Sequence, residues 1–292
     1  MIQPVNNHDE LLADIQAANH DDGNFRLWWL GQSGFLLQWL GQHLLFDPYL
    51  SDSLTKKYAS TDKPHVRMTE IPIDPARLDF IDVATSTHNH TDHLDAETLL
   101  PIMAANPELK LIVAEANRAF VANRLGCEAD WLVGLNDGES AQVGAFRVHA
   151  VPAAHEDVER DESGRSKYLG FVINFGPWTV YHSGDTILYD SMVATLQPFE
   201  IDVALLPING RAPERRVAGN LTALEAARLG REIGASLVIP MHYDMFAFNT
   251  APPEDFEQAA NRERQPHRVL GCGERWSSAS LTPRKPESYS TY

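Results

Sequence analysis

The stretch Thr87-His88-Asn89-His90-Thr91-Asp92-His93 decides how this sequence is interpreted. It follows a short apolar run that predicts a buried strand. In an extended loop residues i and i+2 point the same way, so His88 and His90 can bind one divalent ion. Asp92 and His93 lie a turn further on and can face a second ion, or Asp92 can orient an attacking water. The stretch therefore predicts a metal site at a strand end, with a dense surface histidine cluster as the alternative.

Three further residues that could bind a metal directly follow predicted strands. They are His155 after residues 146–151, Asp185 after residues 179–182 and His242 after residues 237–240. Each signal is weak alone, because a single histidine is often structural and a Gly-Asp pair is often only a turn. Strand ends can meet at one edge of a sheet, so their shared placement favours a common site.

Strand and helix patterns alternate along most of the chain. Predicted strands cover residues 25–30, 34–39, 43–46, 80–85, 111–114, 131–133, 146–151, 170–175, 179–182, 203–206 and 237–240. Predicted helices cover residues 10–18, 94–105, 117–125 and 222–233, the last with a capping box from Thr222 to Glu225. This alternation predicts an α/β architecture.

The chain contains two similar predicted hairpins, over residues 34–46 and 170–182, each followed by an aspartate. This similarity indicates one β-rich unit used twice. Nothing resembles a linker between domains, so we expect a single domain over residues 1–292. Its tail, from about 278 to 292, is rich in serine and proline and is expected to be mobile. Residues 55–75 are predicted to form a surface loop bordering the site.

The net charge of −16 argues against a diffuse nucleic-acid-binding surface, which needs an excess of lysine and arginine. The two cysteines, Cys127 and Cys272, are far apart, so a disulfide framework is not indicated. The first residues lack the pattern of a signal peptide, and no apolar run is long enough to span a bilayer. We therefore expect a cytoplasmic protein with a small-molecule, anionic substrate and neither a nucleic acid nor a membrane partner; a homo-oligomer stays open.

The order of these residues resembles that of the metallo-β-lactamase superfamily. The resemblance runs from about residue 25 to His242, and its most specific motif is His88-x-His90-x-Asp92-His93. It implies a four-layer αββα sandwich with the metals at one edge. Within the superfamily the sequence is most similar to the L-ascorbate-6-phosphate lactonase family. The stretches that carry this similarity are Trp29-Leu30-Gly31-Gln32-Ser33-Gly34, Leu45-Phe46-Asp47-Pro48-Tyr49-Leu50, Leu206-Pro207-Ile208-Asn209-Gly210 and Pro240-Met241-His242-Tyr243-Asp244.

The resemblance also implies roles for the site residues. One metal would be held by His88, His90 and His155, the second by Asp92, His93 and His242, and Asp185 would bridge them. The lactonase family is associated with manganese and the superfamily more often with zinc, so we expect one or two divalent ions, Zn²⁺ or Mn²⁺. Imidazole and carboxylate ligands without thiolate suit either metal. Asp47 is expected to bond to the histidine-rich loop, unless it merely ends a strand before Pro48.

A divalent ion lowers the pKa of a bound water, which can then attack a carbonyl or phosphorus atom at neutral pH. Asp92 is the candidate for orienting this nucleophile and moving its proton, and Asn209 is a candidate hydrogen-bond donor to the substrate. Arg211, Arg215 and Arg216 form a local basic cluster that could bind phosphate, or a solvated loop.

Three functions remain open on the sequence. The first is a metal-dependent hydrolase that opens a lactone or related ester of a polar or phosphorylated sugar. The second is a metal-dependent phosphodiesterase, because the same ligands suit attack on phosphorus. The third is a metal-binding protein without catalysis, which the full set of expected ligands disfavours.

Overall fold

The computed structural model describes residues 1–18 and 22–284. Its helices are α1 (His8–Ala17), α2 (Ser53–Tyr58), α3 (Ala96–Ala105), α4 (Arg118–Leu125), α5 (Met192–Leu196), α6 (Ala223–Glu232) and α7 (Pro253–Glu263). Its strands are β1 (Arg26–Gly31), β2 (Gly34–Trp39), β3 (Gln42–Phe46), β4 (Val83–Ser86), β5 (Lys110–Ala114), β6 (Val133–Leu135), β7 (Ser140–Val143), β8 (Phe146–Pro152), β9 (Leu169–Phe175), β10 (Trp178–His182), β11 (Val203–Pro207), β12 (Leu237–Met241) and β13 (Arg275–Ser277).

The strands form two sheets with the same internal plan. The first has seven strands in the order β13-β1-β2-β3-β4-β5-β6, and the second has six in the order β12-β11-β10-β9-β8-β7. In the first sheet β1, β2 and β3 pair antiparallel, and β4 and β5 then add in parallel. In the second sheet β8, β9 and β10 pair antiparallel, and β11 and β12 add in parallel. The two predicted hairpins thus occupy equivalent places in two copies of one plan.

Alternate side chains of a strand pack into different layers, because successive residues of a strand point to opposite faces of the sheet. In β1, Leu27 and Trp29 pack into the large core that includes β8 to β12. Trp28 and Leu30 pack on the other side, in a second core with residues of α1, α3 and α4. Burying each such side chain contributes about 1.5–3 kcal/mol. The second sheet carries α6 and α7 on its outer face, through residues such as Ala226 and Phe256.

These contacts confirm the predicted four-layer αββα sandwich. The capping box is also confirmed, since the Thr222 hydroxyl accepts a hydrogen bond from the Glu225 backbone nitrogen and the Glu225 carboxylate accepts one from the Thr222 nitrogen. Among the described residues, no helix is both long enough and apolar enough to span a membrane.

Other predictions about single elements were wrong. The strand predicted at 131–133 begins only at Val133, because Ala129–Trp131 forms a 3-10 turn closed by a hydrogen bond from the Trp131 nitrogen to the Glu128 carbonyl. The loop predicted from residue 55 begins inside α2. Helix α7 and strand β13 were not predicted, because α7 carries only scattered apolar residues in a charged segment and β13 is three residues long.

The predicted tail, from about residue 278, begins within the described part of the chain. Ser278 is buried, and its hydroxyl accepts a hydrogen bond of 3.0 Å from the Phe25 backbone nitrogen. Ser278 is the residue after β13, and Phe25 is the residue before β1, with which β13 pairs antiparallel. Residues 285–292 lie outside the described residues.

Candidate metal centre

Loops at the ends of four strands bring the predicted ligands together. The histidine-rich loop follows β4, Asp185 lies three residues after β10, His155 three residues after β8, and His242 directly follows β12. β4 belongs to one sheet and the other three strands to the second. The site therefore lies at the edge of the sandwich, and both sheets supply it.

The seven predicted ligands form two adjacent groups. The first is His88, His90 and His155, and the second is Asp92, His93, Asp185 and His242. Within each group one candidate ligand atom per residue lies within 4.8 Å of all the others. Asp185 reaches both groups, because its Oδ2 is 3.6 Å from His155 Nε2 and 3.4 Å from His242 Nε2.

The chemistry of these atoms fits a metal. Among the described residues, Nε2 of His88, Nε2 of His93 and Oδ1 of Asp185 are buried without a hydrogen-bond partner, although the last two lie 3.3 Å from each other as an ion pair. A buried polar atom without a partner costs about 1–3 kcal/mol, so several in one place need a compensating ligand. Buried imidazole and carboxylate atoms that converge are the donor set that divalent ions such as Zn²⁺ and Mn²⁺ accept.

The opposite ring nitrogens of three histidines are held by hydrogen bonds. Nδ1 of His93 donates to Asp47 Oδ2 at 2.8 Å, and Nδ1 of His155 donates to the Gly219 carbonyl at 2.9 Å. Nδ1 of His88 lies 3.1 Å from the Thr87 hydroxyl. Such bonds orient each ring and leave Nε2 free to bind a metal.

Asp47 lies beneath the histidine-rich loop, fully buried. Besides His93, its carboxylate accepts hydrogen bonds from the hydroxyls of Thr85 and Thr87 and from the Thr87 backbone nitrogen. It also has a left-handed backbone, with φ of 35°. One carboxylate thus holds both the start of the loop and one of its histidines.

Burial and neighbouring charges both shift the pKa values of the candidate ligands. Burial holds the pKa of His88 well below its usual value, so this imidazole is neutral. Burial opposes the charged form of His93 as well, but the carboxylates of Asp185 and Asp92 outweigh it and raise the pKa of His93 well above its usual value. Burial also opposes ionisation of Asp185, yet His242 and His93 hold its pKa well below the usual range. The second group therefore keeps its carboxylates ionised.

Gln32 belongs to the site, although no role was predicted for this residue. It lies in the turn between β1 and β2, is fully buried, and has φ of 51°. Its side-chain nitrogen donates to Asp92 Oδ2 at 2.8 Å and lies 3.0 Å from His242 Nε2. Its backbone carbonyl accepts a hydrogen bond of 2.9 Å from the His242 nitrogen. No pattern of residue spacing in the sequence indicates that the side-chain amide of Gln32 lies beside a predicted ligand.

Asn209 lies behind the cleft rather than in its lining. Its amide nitrogen donates to Asn249 Oδ1 at 2.9 Å, and its Oδ1 accepts a hydrogen bond of 3.0 Å from Asn220. Asn220 and Asn249 do line the cleft. Among the described residues, Oδ1 of Asn220 is buried without a partner. The asparagine that lines the cleft is therefore Asn220 rather than Asn209, and its unpartnered atom is an acceptor rather than the predicted donor.

The three arginines of the predicted phosphate cluster are each engaged elsewhere. Arg211 forms a two-pronged ion pair with Glu225, with both nitrogen–oxygen distances 2.6 Å. Arg215 donates to the backbone carbonyls of Asn209 and Thr250. Arg216 pairs with Asp62 at 2.8 Å on the surface. None of the three lines the cleft over the ligand groups, but Arg211 and Arg216 line an adjacent cavity of about 510 Å³ that also contains His155.

This cleft has a volume of about 470 Å³ and contains residues of both ligand groups, including His90, Asp92, His155, Asp185 and His242. His90 is exposed, whereas His88 and His93 are buried beneath it. The remaining lining is mixed: its apolar and aromatic residues include Leu54, Tyr58, His65, Phe120, Val217, Phe246 and Phe248, and its polar residues are Lys57, Asn89, Thr91, Arg124, Asn220 and Asn249. A concave pocket with a few convergent polar groups is typical of a small-molecule site.

Comparison with known proteins agrees with this geometry. A model of the β-lactamase superfamily domain matches residues 42–243. A UPF0173 metal-dependent hydrolase from Rubrobacter xylanophilus is 30% identical over 245 residues, which are 82% of this chain and 89% of that protein. The fold is similar to that of a metallo hydrolase from Ignicoccus hospitalis (TM-score 0.63, 23% identity, 87% of this chain and 98% of that chain). It is also similar to that of a metallo-β-lactamase fold protein from Bacillus subtilis (TM-score 0.62, 17% identity, 88% of this chain and 100% of that chain).

Proposed function

The chain belongs to the metallo-β-lactamase superfamily and, within it, to the UPF0173 metal-dependent hydrolases, and from this premise we propose that it hydrolyses a lactone or related carbonyl ester. The observation that carries the proposal is the meeting of two ligand groups in one cleft, with buried Nε2 and carboxylate atoms left without partners. Preorganised polar groups that meet in a cleft can stabilise the charge that develops on a substrate during reaction.

We assign the metal to the two groups already described, with His88, His90 and His155 on one side and Asp92, His93 and His242 on the other. Asp185 lies between them. A bound divalent ion supplies two things, a water of lowered pKa and polarisation of the carbonyl oxygen. Whether one or both groups are filled, and by Zn²⁺ or Mn²⁺, is tested by the metal content of the purified protein.

Asp92 is the residue that we assign to the nucleophilic water. Its side chain lines the cleft and retains 16% exposure, whereas Asp185 retains 4%. The Gln32 amide fixes one carboxylate oxygen of Asp92. Its pKa stays below the usual value, because nearby histidines outweigh the effect of its burial. An ionised, oriented carboxylate beside the cleft is suited to accept the proton of the attacking water.

The resemblance to the L-ascorbate-6-phosphate lactonase family supports a cyclic ester as the substrate. Its phosphorylated-sugar part has weaker support, because Arg211, Arg215 and Arg216 each have a protein partner, although Arg211 and Arg216 line a cavity next to the cleft. We therefore propose the lactone or ester carbonyl as the reacting group and leave the sugar phosphate as a less favoured substrate.

The test is a pH-stat assay of lactones with the protein loaded with Mn²⁺ or Zn²⁺. We expect lactone opening that is lost in His155→Ala together with bound metal, measured by elemental analysis. His267→Ala, at a histidine outside the cleft, is the matched control and should retain both. Turnover of bis-nitrophenyl phosphate with lactones untouched would replace the proposal by a phosphodiesterase. Bound metal without turnover of either substrate would indicate a non-catalytic metal-binding protein.

A further inference from the structure

One side of the cleft is formed by four aromatic rings, Tyr58, His65, Phe246 and Phe248, which we call the aromatic wall. The His65 ring is stacked on Tyr58 with centroids 4.2 Å apart and planes 20° from parallel. It meets Phe248 edge-on at 4.6 Å and Phe246 edge-on at 5.2 Å. His65 thus joins two segments of the chain into one continuous aromatic surface.

The aromatic wall is fixed relative to the metal centre. Phe246 and Phe248 follow His242 in the same loop after β12. The Ala247 nitrogen of that loop donates a hydrogen bond of 3.1 Å to the Val66 carbonyl, next to His65. Asn249 continues the loop and accepts the hydrogen bond from Asn209. A planar group held by the wall would therefore lie at a defined distance from the ligand His242.

Only part of the aromatic wall is needed to stabilise the fold. Phe246 is buried at 2% exposure and packs in a small core with Tyr49, Leu54 and Met245. Tyr58, His65 and Phe248 are half-buried and line the cleft. Aromatic rings that face an open cleft retain apolar surface that water solvates poorly, so they gain from covering by a ligand.

The cationic groups around the aromatic wall each contact a group of the protein, and one of them, Lys63, lies with its Nζ 5.3 Å from the centroid of the Phe248 ring. Burial lowers the pKa of His65, so its ring is neutral at neutral pH. Arg124 lines the cleft, but its guanidinium donates to the backbone carbonyls of Asn89 and Leu94. Lys57 lies at 5.1 Å over the Tyr58 ring at the exposed rim. Two more apolar side chains, Phe120 and Val217, also line the cleft and are 43% and 36% exposed.

We propose that the aromatic wall binds an aromatic ring of the substrate, so that the enzyme acts on aryl-bearing lactones or esters; this inference rests on the proposed function. Flat rings gain offset or edge contacts with aromatic side chains in addition to the burial of their area. The cleft volume of about 470 Å³ accommodates a bicyclic lactone, since drug-sized ligands bind in pockets of about 300–1,000 Å³.

The experiment separates binding from turnover. Two lactams that resist hydrolysis, 1,4-dihydro-3(2H)-isoquinolinone and 2-piperidone, share a six-membered ring and differ by one fused benzene ring. Their affinity for the metal-loaded, full-length protein is measured by isothermal titration calorimetry. The matching lactones, 3-isochromanone and δ-valerolactone, are followed in the pH-stat. We expect the aromatic lactam to bind about tenfold or more tighter, as burial of one ring predicts.

Variants locate the preference. Phe248→Leu keeps an apolar side chain and removes the flat ring, and should reduce binding of the aromatic lactam about threefold to tenfold without changing 2-piperidone binding. Phe199→Leu is the control, because Phe199 contacts His149 at 5.4 Å and does not line the cleft. If Phe248→Leu fails to fold in thermal denaturation, Tyr58→Leu replaces it.

Equal affinity of the two lactams, or an aromatic preference that survives the wall variants, would overturn the inference. Tight binding of the aromatic lactam without hydrolysis of either lactone would instead contradict the proposed function. In that case the aromatic wall would bind aromatic rings in a protein that is not a lactonase. An aromatic preference in both binding and kcat/KM, lost only in the wall variant, supports both together.

Discussion

Three non-glycine residues of the metal centre have a left-handed backbone. Gln32, Asp47 and His242 have φ values of 51°, 35° and 66°. This conformation costs about 1–2 kcal/mol for a residue with a Cβ, and it persists only where the surroundings enforce it. At each of the three, the backbone turn delivers a side chain into the site directly after or beside a strand. The strained backbone at these positions therefore lowers local stability and places functional groups in the site.

Gln32 provides the first prediction at this scale. Asparagine tolerates the left-handed backbone but is one methylene shorter, so Gln32→Asn should lose the bond to Asp92. Since loss of a partner that orients a ligand costs about 10–100-fold in metal affinity, we expect weaker metal binding in that range. A competition titration with a chromophoric chelator measures it. Gln197→Asn, at an exposed position, is the control. Unchanged affinity would remove Gln32 from the site.

Asn220 and Asn209 give a second prediction, because the structure assigns them different positions. Asn220 lines the cleft with an unpartnered oxygen, so Asn220→Ala should raise KM or lower kcat while metal content stays full. Asn209→Ala removes the partner of both Asn220 and Asn249 and should lower stability by about 1–3 kcal/mol. Elemental analysis and urea denaturation distinguish the two. The opposite pattern would return Asn209 to the role that the sequence suggested.

At the scale of the element, α6 shows what sequence patterns can and cannot predict. Its capping box was readable because Thr222 and Glu225 have a fixed spacing. The second partner of Glu225, Arg211, lies on a distant loop, and no local pattern shows that the two meet. The phosphate-binding role predicted for Arg211 therefore took no account of its ion pair with Glu225. Short segments such as β13 fail for the same reason, since their strand character comes from pairing with β1.

Glu225 gives the prediction at this scale. Hydrogen bonds from Arg211, aided by the bonds at the cap, lower the pKa of Glu225 to about 2. A depressed pKa stabilises the folded state above the unfolded value of 4.5, and the gain is lost as the pH falls through about 2. Glu225→Gln should therefore cost about 1–2 kcal/mol at pH 7, after allowance for the half-exposed arginine.

Urea denaturation of both proteins between pH 7 and pH 2 measures this difference. The free energies of unfolding should converge as the pH decreases through that window. Glu263→Gln is a matched control, because Glu263 pairs with Arg228 and Arg231 on the surface without a capping role. A difference that is constant from pH 7 to pH 2 would show that the ion pair contributes nothing.

At the scale of the whole molecule, the alternation of strand and helix patterns predicted the α/β architecture, and the candidate metal ligands all follow predicted strands. The four layers and the division of the ligands into two groups were implied by the resemblance to the metallo-β-lactamase superfamily. The aromatic wall was not predictable, because Tyr58 and His65 come from a segment that looked like a surface loop. Their proximity to Phe246 depends on a backbone contact between residues far apart in the chain.

Metal removal is the prediction at this scale. A ligand that binds only the folded state adds about 2.7 kcal/mol at a concentration 100-fold above its Kd. For a chain of this size each kcal/mol corresponds to roughly 2–4 °C. A chelator should therefore lower Tm by several degrees in differential scanning calorimetry, and excess Zn²⁺ or Mn²⁺ should restore it. His155→Ala should respond less to the chelator than the native protein, because it removes a ligand from one of the two groups. An unchanged Tm in the native protein would mean that no metal stabilises this fold.

The division of the site between two sheets also sets the time at which it can form during synthesis. The histidine-rich loop leaves the ribosome early, whereas His242 follows the last parallel strand of the second sheet, and its partner Gln32 lies 210 residues earlier. Domains fold as units once their sequence is available. A nascent chain that ends before β12 therefore carries His88, His90, His93 and His155 but lacks His242. The second ligand group is complete only after translation has passed His242.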